Sequence, residues 1–364
     1  MRQETLTVVA RVVAPVHLAP LHRALKALAH DTLPGSGARP RVFAYEPLAI
    51  HFARLSVLEE KPGSVYGPTL ILESNFDTEL EDGKAARKAH LEALSSEAGA
   101  QLLTVFEYCV GFGPRLSSAE LAAALERNLV PATAAYQGHT QRDLRRIRLE
   151  QRLRDVLLDF FSRAQQASPR ELYHAAREHV RLLSARDPLL AGLNVDAPMP
   201  PLPSAAARTA SLNQGYWAWI KNLSLGLLTL ALQQLKNIVR WQKADPQFEQ
   251  RAVQEAWMAE DKRTFVEISA TEDYALQNAL THVVPLKAAD RLAVLIAAHG
   301  YIDVMAKRYF DDIGQLGGIP SIHFAKWLLI DDNQRLMFLT NYDSSWESYL
   351  GDFVDRAPVG LNLA

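Results

Sequence analysis

The stretch "IHFARLSVLEE" at 50–60 returns as "IHFAKWLLIDD" at 322–332. Each is followed by a second shared phrase, "SNFD" at 74–77 and "TNYD" at 340–343. Two phrases repeated in the same order, about 270 residues apart, mark an internal duplication. A duplication sets the architecture before any single element is assigned.

Working outward from the first copy, "LTVVARVVA" (6–14) is β-branched and strand-like, and "LAPLHRALKALAH" (18–30) carries Leu21, Leu25 and Leu28 at helical spacing. The strands "LAIHFARLSVLEE" and "PTLILESNFD" follow, then a polar helix over 78–99. "QLLTVFEYCVGF" (101–112) reads as the last strand. The order is βαββαβ, the ferredoxin-like unit. The second copy repeats it with "NALTHVVPL" (278–286), a helix over 290–312, the strands "SIHFAKWLLID" and "RLMFLTNYD", and the helix "SSWESYLGDFVD". After Asn341 only 23 residues remain, too few for a closing strand. The expectation is that another segment, or an oligomeric partner, covers that open edge.

The predicted fold class is therefore α+β: two ferredoxin-like repeats forming an α+β barrel, with a helical insertion between them. The expected divisions are 1–135 for the first repeat, 136–210 for a charged helical segment and linker, 211–272 for a membrane-facing or inter-domain segment, and 273–364 for the second repeat.

This arrangement resembles the dimeric α+β-barrel superfamily, which includes dye-decolorising peroxidases, chlorite dismutase-like proteins and small monooxygenases. In it two ferredoxin-like units pack sheet to sheet. "THVVPLK", "GIPSIHFAKW" and "NYDSSWESYLGDFVD" resemble, more narrowly, a group of bacterial two-repeat, membrane-associated proteins. That group keeps a hydrophobic segment between its copies. The resemblance implies a barrel interior able to hold a haem or an apolar ligand. It does not extend to the GxxDG signature of the peroxidases, which this chain lacks.

In a strand, alternate residues share a face, so Ile50, Phe52 and Arg54 are expected opposite His51, Ala53 and Leu55, and Ile322, Phe324 and Lys326 opposite His323, Ala325 and Trp327. Asp77 and Asp343 suit helix N-caps, Ser344 with Glu347 fits a capping box, and Asn75 and Asn341 suit local turns. Alongside that structural reading stands a functional one. His323 would ligate a haem iron, with Arg54 or Lys326 near the haem carboxylates, and His282 would add a further imidazole. A duplicated histidine, however, suits a duplicated structural role better than a unique active site.

Between the copies, 136–187 reads as charged and helical, with Leu149, Leu153, Val156 and Phe160 on one face. A patch of six arginines between Arg142 and Arg154 could instead face anionic lipid. "DAPMPPLPSAAA" (196–207) is a proline-rich linker. Beyond it Trp217 and Trp219 stand at one end of an uncharged stretch and Trp241 at the other, with Leu225, Leu228 and Leu232 between them. Aromatics flanked by bases suit a membrane interface. The uncharged core is 14 residues, Asn222–Leu235, about 21 Å of helix against a hydrocarbon layer of ~30 Å. A span, an in-plane anchor and a buried inter-domain helix all stay open.

A net charge of −2 gives no bulk electrostatic reason for a nucleic-acid partner, and one cysteine excludes an internal disulfide framework. The N-terminus lacks a secretory pattern, which places the expected location in the cytoplasm, peripheral at the inner membrane. No P-loop, G-x-G-x-x-G, H-E-x-x-H or G-x-S-x-G occurs in a supporting context. The leading expectation is a binding protein holding an apolar ligand or partner. The alternatives are a haem-dependent oxidoreductase and a cofactor-free monooxygenase with a confined apolar cavity.

Overall fold

The computed structural model describes residues 2–31, 48–60, 64–139, 142–163, 168–191, 193, 277–286, 291–306, 316 and 319–356. The linker at 196–207 and the segment at 211–272, with Trp217, Trp219, Leu225, Leu228, Leu232 and Trp241, lie outside the described residues.

In chain order the elements are β1 (Arg2–Arg11), α1 (Leu18–Asp31), β2 (Ile50–Leu58), β3 (Thr69–Thr78), α2 (Gly83–Phe106), α3 (Ser118–Arg127), β4 (Ala132–Gln137), α4 (Leu144–Arg163), α5 (Pro169–Ser184), β5 (Gln277–Pro285), α6 (Arg291–Met305), β6 (Ile322–Ile330), β7 (Arg335–Asp343) and α7 (Trp346–Arg356). They form two antiparallel sheets, ordered β1-β3-β2 and β4-β6-β7-β5. The fold is mixed α+β, and among the described residues the two sheets do not close into one barrel.

The last strand of the first copy is not at 101–112. There α2 runs on to Phe106, burying Ala98, Leu102, Val105 and Phe106 at helical spacing. The chain then touches the end of β1 through the Val12–Cys109 bridge. The strand comes later, as β4, and it pairs with β6 of the second copy. On the way, residues 128–130 run briefly along the outer edge of β1, where Val9 N–H donates to Asn128 O at 2.9 Å and Val130 N–H to Thr7 O at 2.9 Å. β1 and β4 then part, and no strand pairs with the outer edge of β1 from Gln3 to Leu6 among the described residues.

Strict alternation fails at one place in each copy. A bulge lies between Ile50 and Phe52, and another between Ile322 and Phe324, each centred on the histidine of the repeated phrase. The extra residue turns the strand over. Ile50 therefore joins Ala53, Leu55 and Val57 under the helices, while Phe52 and Arg54 face the second sheet. Ile322 likewise joins Ala325, Trp327 and Leu329 on the helix side. Between the sheets, Ile71, Leu328, Met337 and Leu339 are each 0% exposed, a burial of about 1.5–3 kcal/mol per side chain.

The β6–β7 hairpin turns through Asp331, Asp332 and Asn333, all at positive φ (51°, 53° and 66°). Asp and Asn tolerate that region because their short side chains bond locally. Arg335 follows, reaching Asp331 at 2.6 Å and, in the first copy, Glu60 at 2.6 Å, with its guanidinium 3.9 Å from the Tyr66 ring. The hairpin of one copy is thus tied to the β2–β3 connection of the other.

In the insertion, α5 starts on a Ser168–Glu171 capping box with Pro169 in its first turn. α4 and α5 pack through Val156, Val180 and Leu190, with Leu153 and Leu157 at the margin. Several α4 arginines find carboxylates, as in Arg146–Glu150 and Arg152–Asp187.

Candidate functional site

The repeated phrases meet one another. Asn75 Nδ2 donates to Asn341 Oδ1 at 3.1 Å, while Asn75 Oδ1 accepts from the Thr5 hydroxyl at 2.7 Å. Phe52 stacks on His323, with ring centroids 5.4 Å apart, and packs edge-on against Phe324 at 5.4 Å. His51 Nε2 lies 2.8 Å from Asp77 Oδ1, and His323 Nε2 lies 2.8 Å from Asp343 Oδ1. Each copy therefore uses the histidine of its first phrase to hold the aspartate of its second. The local turn role expected of the two asparagines is replaced by a bond between copies.

The aspartates are not N-caps of the helices that follow. Asp82 caps α2, accepting from Ala85 N–H at 2.7 Å, and Ser345 accepts from Ser348 N–H at 3.4 Å at the start of α7. Ser344, at φ +79°, lies one residue too early for the expected capping box. Asp77 does serve a helix, but a distant one: its Oδ2 accepts Leu144 N–H at 2.7 Å and so fixes the start of α4.

Behind this seam lies a charge cluster whose layout follows from the duplication. Arg54 and Lys326 occupy equivalent places in the two copies, and both reach the same carboxylate. Arg54 Nε lies 2.6 Å from Glu73 Oε2, and Lys326 Nζ lies 2.9 Å from Glu73 Oε1. Aligning "SNFD" with "TNYD" puts Leu339 where Glu73 stands, so two equivalent cations share one carboxylate. Glu73 and Lys326 are each 1% exposed. Burial pushes the Glu73 carboxyl up, but Lys326 and Arg54 together outweigh it and hold it at about 2. Lys326 is pulled below the ordinary lysine value, first by burial and then by Arg54, against the opposing pull of Glu73.

Three residues singled out for haem are thereby located. Arg54 and Lys326 come together, but on Glu73. His323 stands at the seam, with its Nε2 on Asp343 and Phe52 stacked on its ring. These residues do not fit a haem as placed: both cations are already paired on Glu73, and neither His323 nor Arg54 lines the cavity described below. His282 is exposed on β5. No group of three or more His, Cys, Asp or Glu is placed to hold a metal ion among the described residues. Burial pushes the Cys109 thiol up to about 12, so it is not a nucleophile near neutral pH.

Open space lies to one side of the cluster, in the gap where β1 and β4 part. A cavity of about 360 Å³ is lined there by Arg2–Thr7, Arg87, residues 130–133, Ala135, Gln137, Asp303 and Lys326. Arg2 and Arg87 are the more exposed lining cations, at 45% and 31%, and both reach Glu4, at 2.7 and 3.2 Å. Lys326, Thr7 and Gln3 are buried. Lys326 spends one N–H on Glu73 and points a second at Leu6 O, 3.3 Å away. The Thr7 hydroxyl and Gln3 Oε1 have no hydrogen-bond partner among the described residues. Glu73, Gln3 and Thr7 escaped the reading of the repeats. The available signal was the alternation Gln3-Thr5-Thr7 in an otherwise apolar strand, which puts a polar row on the face between the sheets.

Comparison with protein-family models, with curated proteins and with solved structures gave no match to this chain.

Proposed function

We propose that the chain is a small-molecule binding protein built on two ferredoxin-like copies, with its ligand in the cavity between β1 and β4. The cavity carries this reading, because it leads from solvent-facing arginines to the buried Lys326. The apolar layer between the sheets is already filled by Ile71, Leu328, Ile330, Met337 and Leu339. A polar ligand therefore suits this fold better than an apolar one. The matching bulges and the Asn75–Asn341 bond support a tandem α+β-barrel plan in which the repeated phrases form the seam. The tryptophan-flanked segment within 211–272 would attach the protein to the cytoplasmic face of a membrane. No helix among the described residues is long and apolar enough to cross one.

The test is a ligand-observed NMR screen of polar fragments against the full chain and against Ala132→Trp. Ala132 is exposed and lines the cavity, so the indole fills the opening without entering the core. Fragments that bind the parent protein and are lost from the variant support the reading; binding that survives the tryptophan places the ligand elsewhere.

A further inference from the structure

We infer that this cavity takes a small carboxylate that also carries a hydroxyl or amino donor, such as a hydroxy acid or an amino acid. The inference rests on the binding-protein reading above and narrows it to one ligand chemistry.

The anionic end follows from the charges around the cavity. In the buried cluster beside the cavity Lys326 and Arg54 share the single carboxylate of Glu73, whereas Arg2 and Arg87, 45% and 31% exposed, share Glu4 nearer solvent. One positive charge of the buried pair therefore lacks a counter-ion among the described residues. An unpaired charge away from water is costly, and one negative charge offsets it. That favours a monocarboxylate over a doubly charged phosphate. An ammonium has three donors and Lys326 directs only two at protein acceptors, so its third N–H is available to a ligand oxygen.

The donor end follows from Gln3. Its Nε2 donates to His139 O at 3.0 Å and to Arg142 O at 2.9 Å. Both partners are carbonyls, so the amide can face only one way round, and Oε1 is an acceptor. That oxygen is buried and has no donor among the described residues. Thr7, 1% exposed and lining the same cavity, adds a hydroxyl without a partner. Buried polar atoms are almost always hydrogen-bonded, and two unpartnered ones along one cavity wall point to a group that supplies the bonds. A plain carboxylate would leave Gln3 Oε1 unmet; an added O–H or N–H would satisfy it. The volume lies at the small end of the range for ligand pockets, about 300–1,000 Å³.

The test is calorimetric titration of the full chain with L-serine and L-lactate, beside acetate, ethanolamine and inorganic phosphate. Saturable binding of serine or lactate, at least tenfold tighter than acetate and ethanolamine, is expected. Thr7→Val and Lys326→Met should each weaken that binding tenfold or more. Thr7→Val should leave the melting temperature unchanged, because its hydroxyl bonds nothing among the described residues. Acetate binding as tightly as lactate, phosphate binding more tightly than either, or no binding by serine and lactate overturns the assignment. If other polar fragments still bind and Ala132→Trp removes them, only the ligand class falls; if no fragment is lost with that variant, the binding reading falls with it.

Discussion

Replacing Glu73 with leucine, the residue its counterpart carries at 339, should damage this protein more than removing either cation. In the parent protein Glu73 neutralises one charge of the pair Arg54 and Lys326, both buried against it. After Glu73→Leu the lysine can shed its proton, but the arginine cannot, and among the described residues it keeps only Leu280 O as a partner, at 2.7 Å. Breaking a buried pair from one side costs about 3–5 kcal/mol. At roughly 2–4 °C per kcal/mol for a body of this size, the melting temperature should fall by about 10 °C. Lys326→Met leaves the Arg54–Glu73 pair whole and should cost about 1 kcal/mol or less. The double variant Glu73→Leu, Lys326→Met should stay close to Glu73→Leu alone, since the stranded charge belongs to Arg54. Adding Arg54→Met to Glu73→Leu should recover much of the loss. Chemical denaturation followed by circular dichroism reads all of these. If Glu73→Leu costs no more than Lys326→Met, the shared-carboxylate account is wrong.

Other perturbations reach other parts of the fold. His90, stacked on Phe76 with ring centroids 3.7 Å apart, and His299 are both held at about 4 by burial, against 6.5 when exposed. Between those pH values the unfolded chain binds protons that the folded one refuses, so stability falls on acidification from 6.5 to 4, by up to roughly 3 kcal/mol per histidine. Denaturant midpoints should follow that trend, and His90→Gln with His299→Gln should flatten it; an unchanged slope would assign it to other groups. His51→Ala removes one partner of an aspartate that is 2% exposed, leaving it the Leu144 N–H, and should cost about 1.5–3 kcal/mol. His323→Ala, beside an Asp343 that is 47% exposed, should cost about 1 kcal/mol or less in the same assay. Replacing Leu225, Leu228 and Leu232 together by Glu should move the protein from the membrane pellet to the supernatant on flotation. A parent protein already found wholly in the supernatant would remove the attachment reading.

The repeated phrases disclosed where the two halves touch, because residues that meet their own counterparts are held to the same chemistry in both copies. They could not disclose the bulges. An extra residue at His51 and His323 leaves no trace in composition, so the alternation rule put Ile50 and Ile322 on the wrong face. The run 101–112 misled for a related reason: Leu102, Val105 and Phe106 fit a strand by residue type and a helix by spacing, and packing on α3 and β1 favours the helix. The charge cluster and cavity were the least legible. Similarity draws the eye to what two copies share, whereas Glu73 matters because the second copy has Leu339 in its place.

The passage of β4 from the first copy into the second sheet also bears on how the chain could be divided. An edge strand contributed by the other half means that neither copy can leave without exposing a ladder of backbone groups. A duplicated gene in which one copy has lent a strand to the other in this way cannot easily return to two independent proteins. A single cut between α5 and β5, by contrast, would leave the second sheet's edge strand on the first fragment, so the two fragments should find one another and rebuild the molecule without the peptide that once joined them.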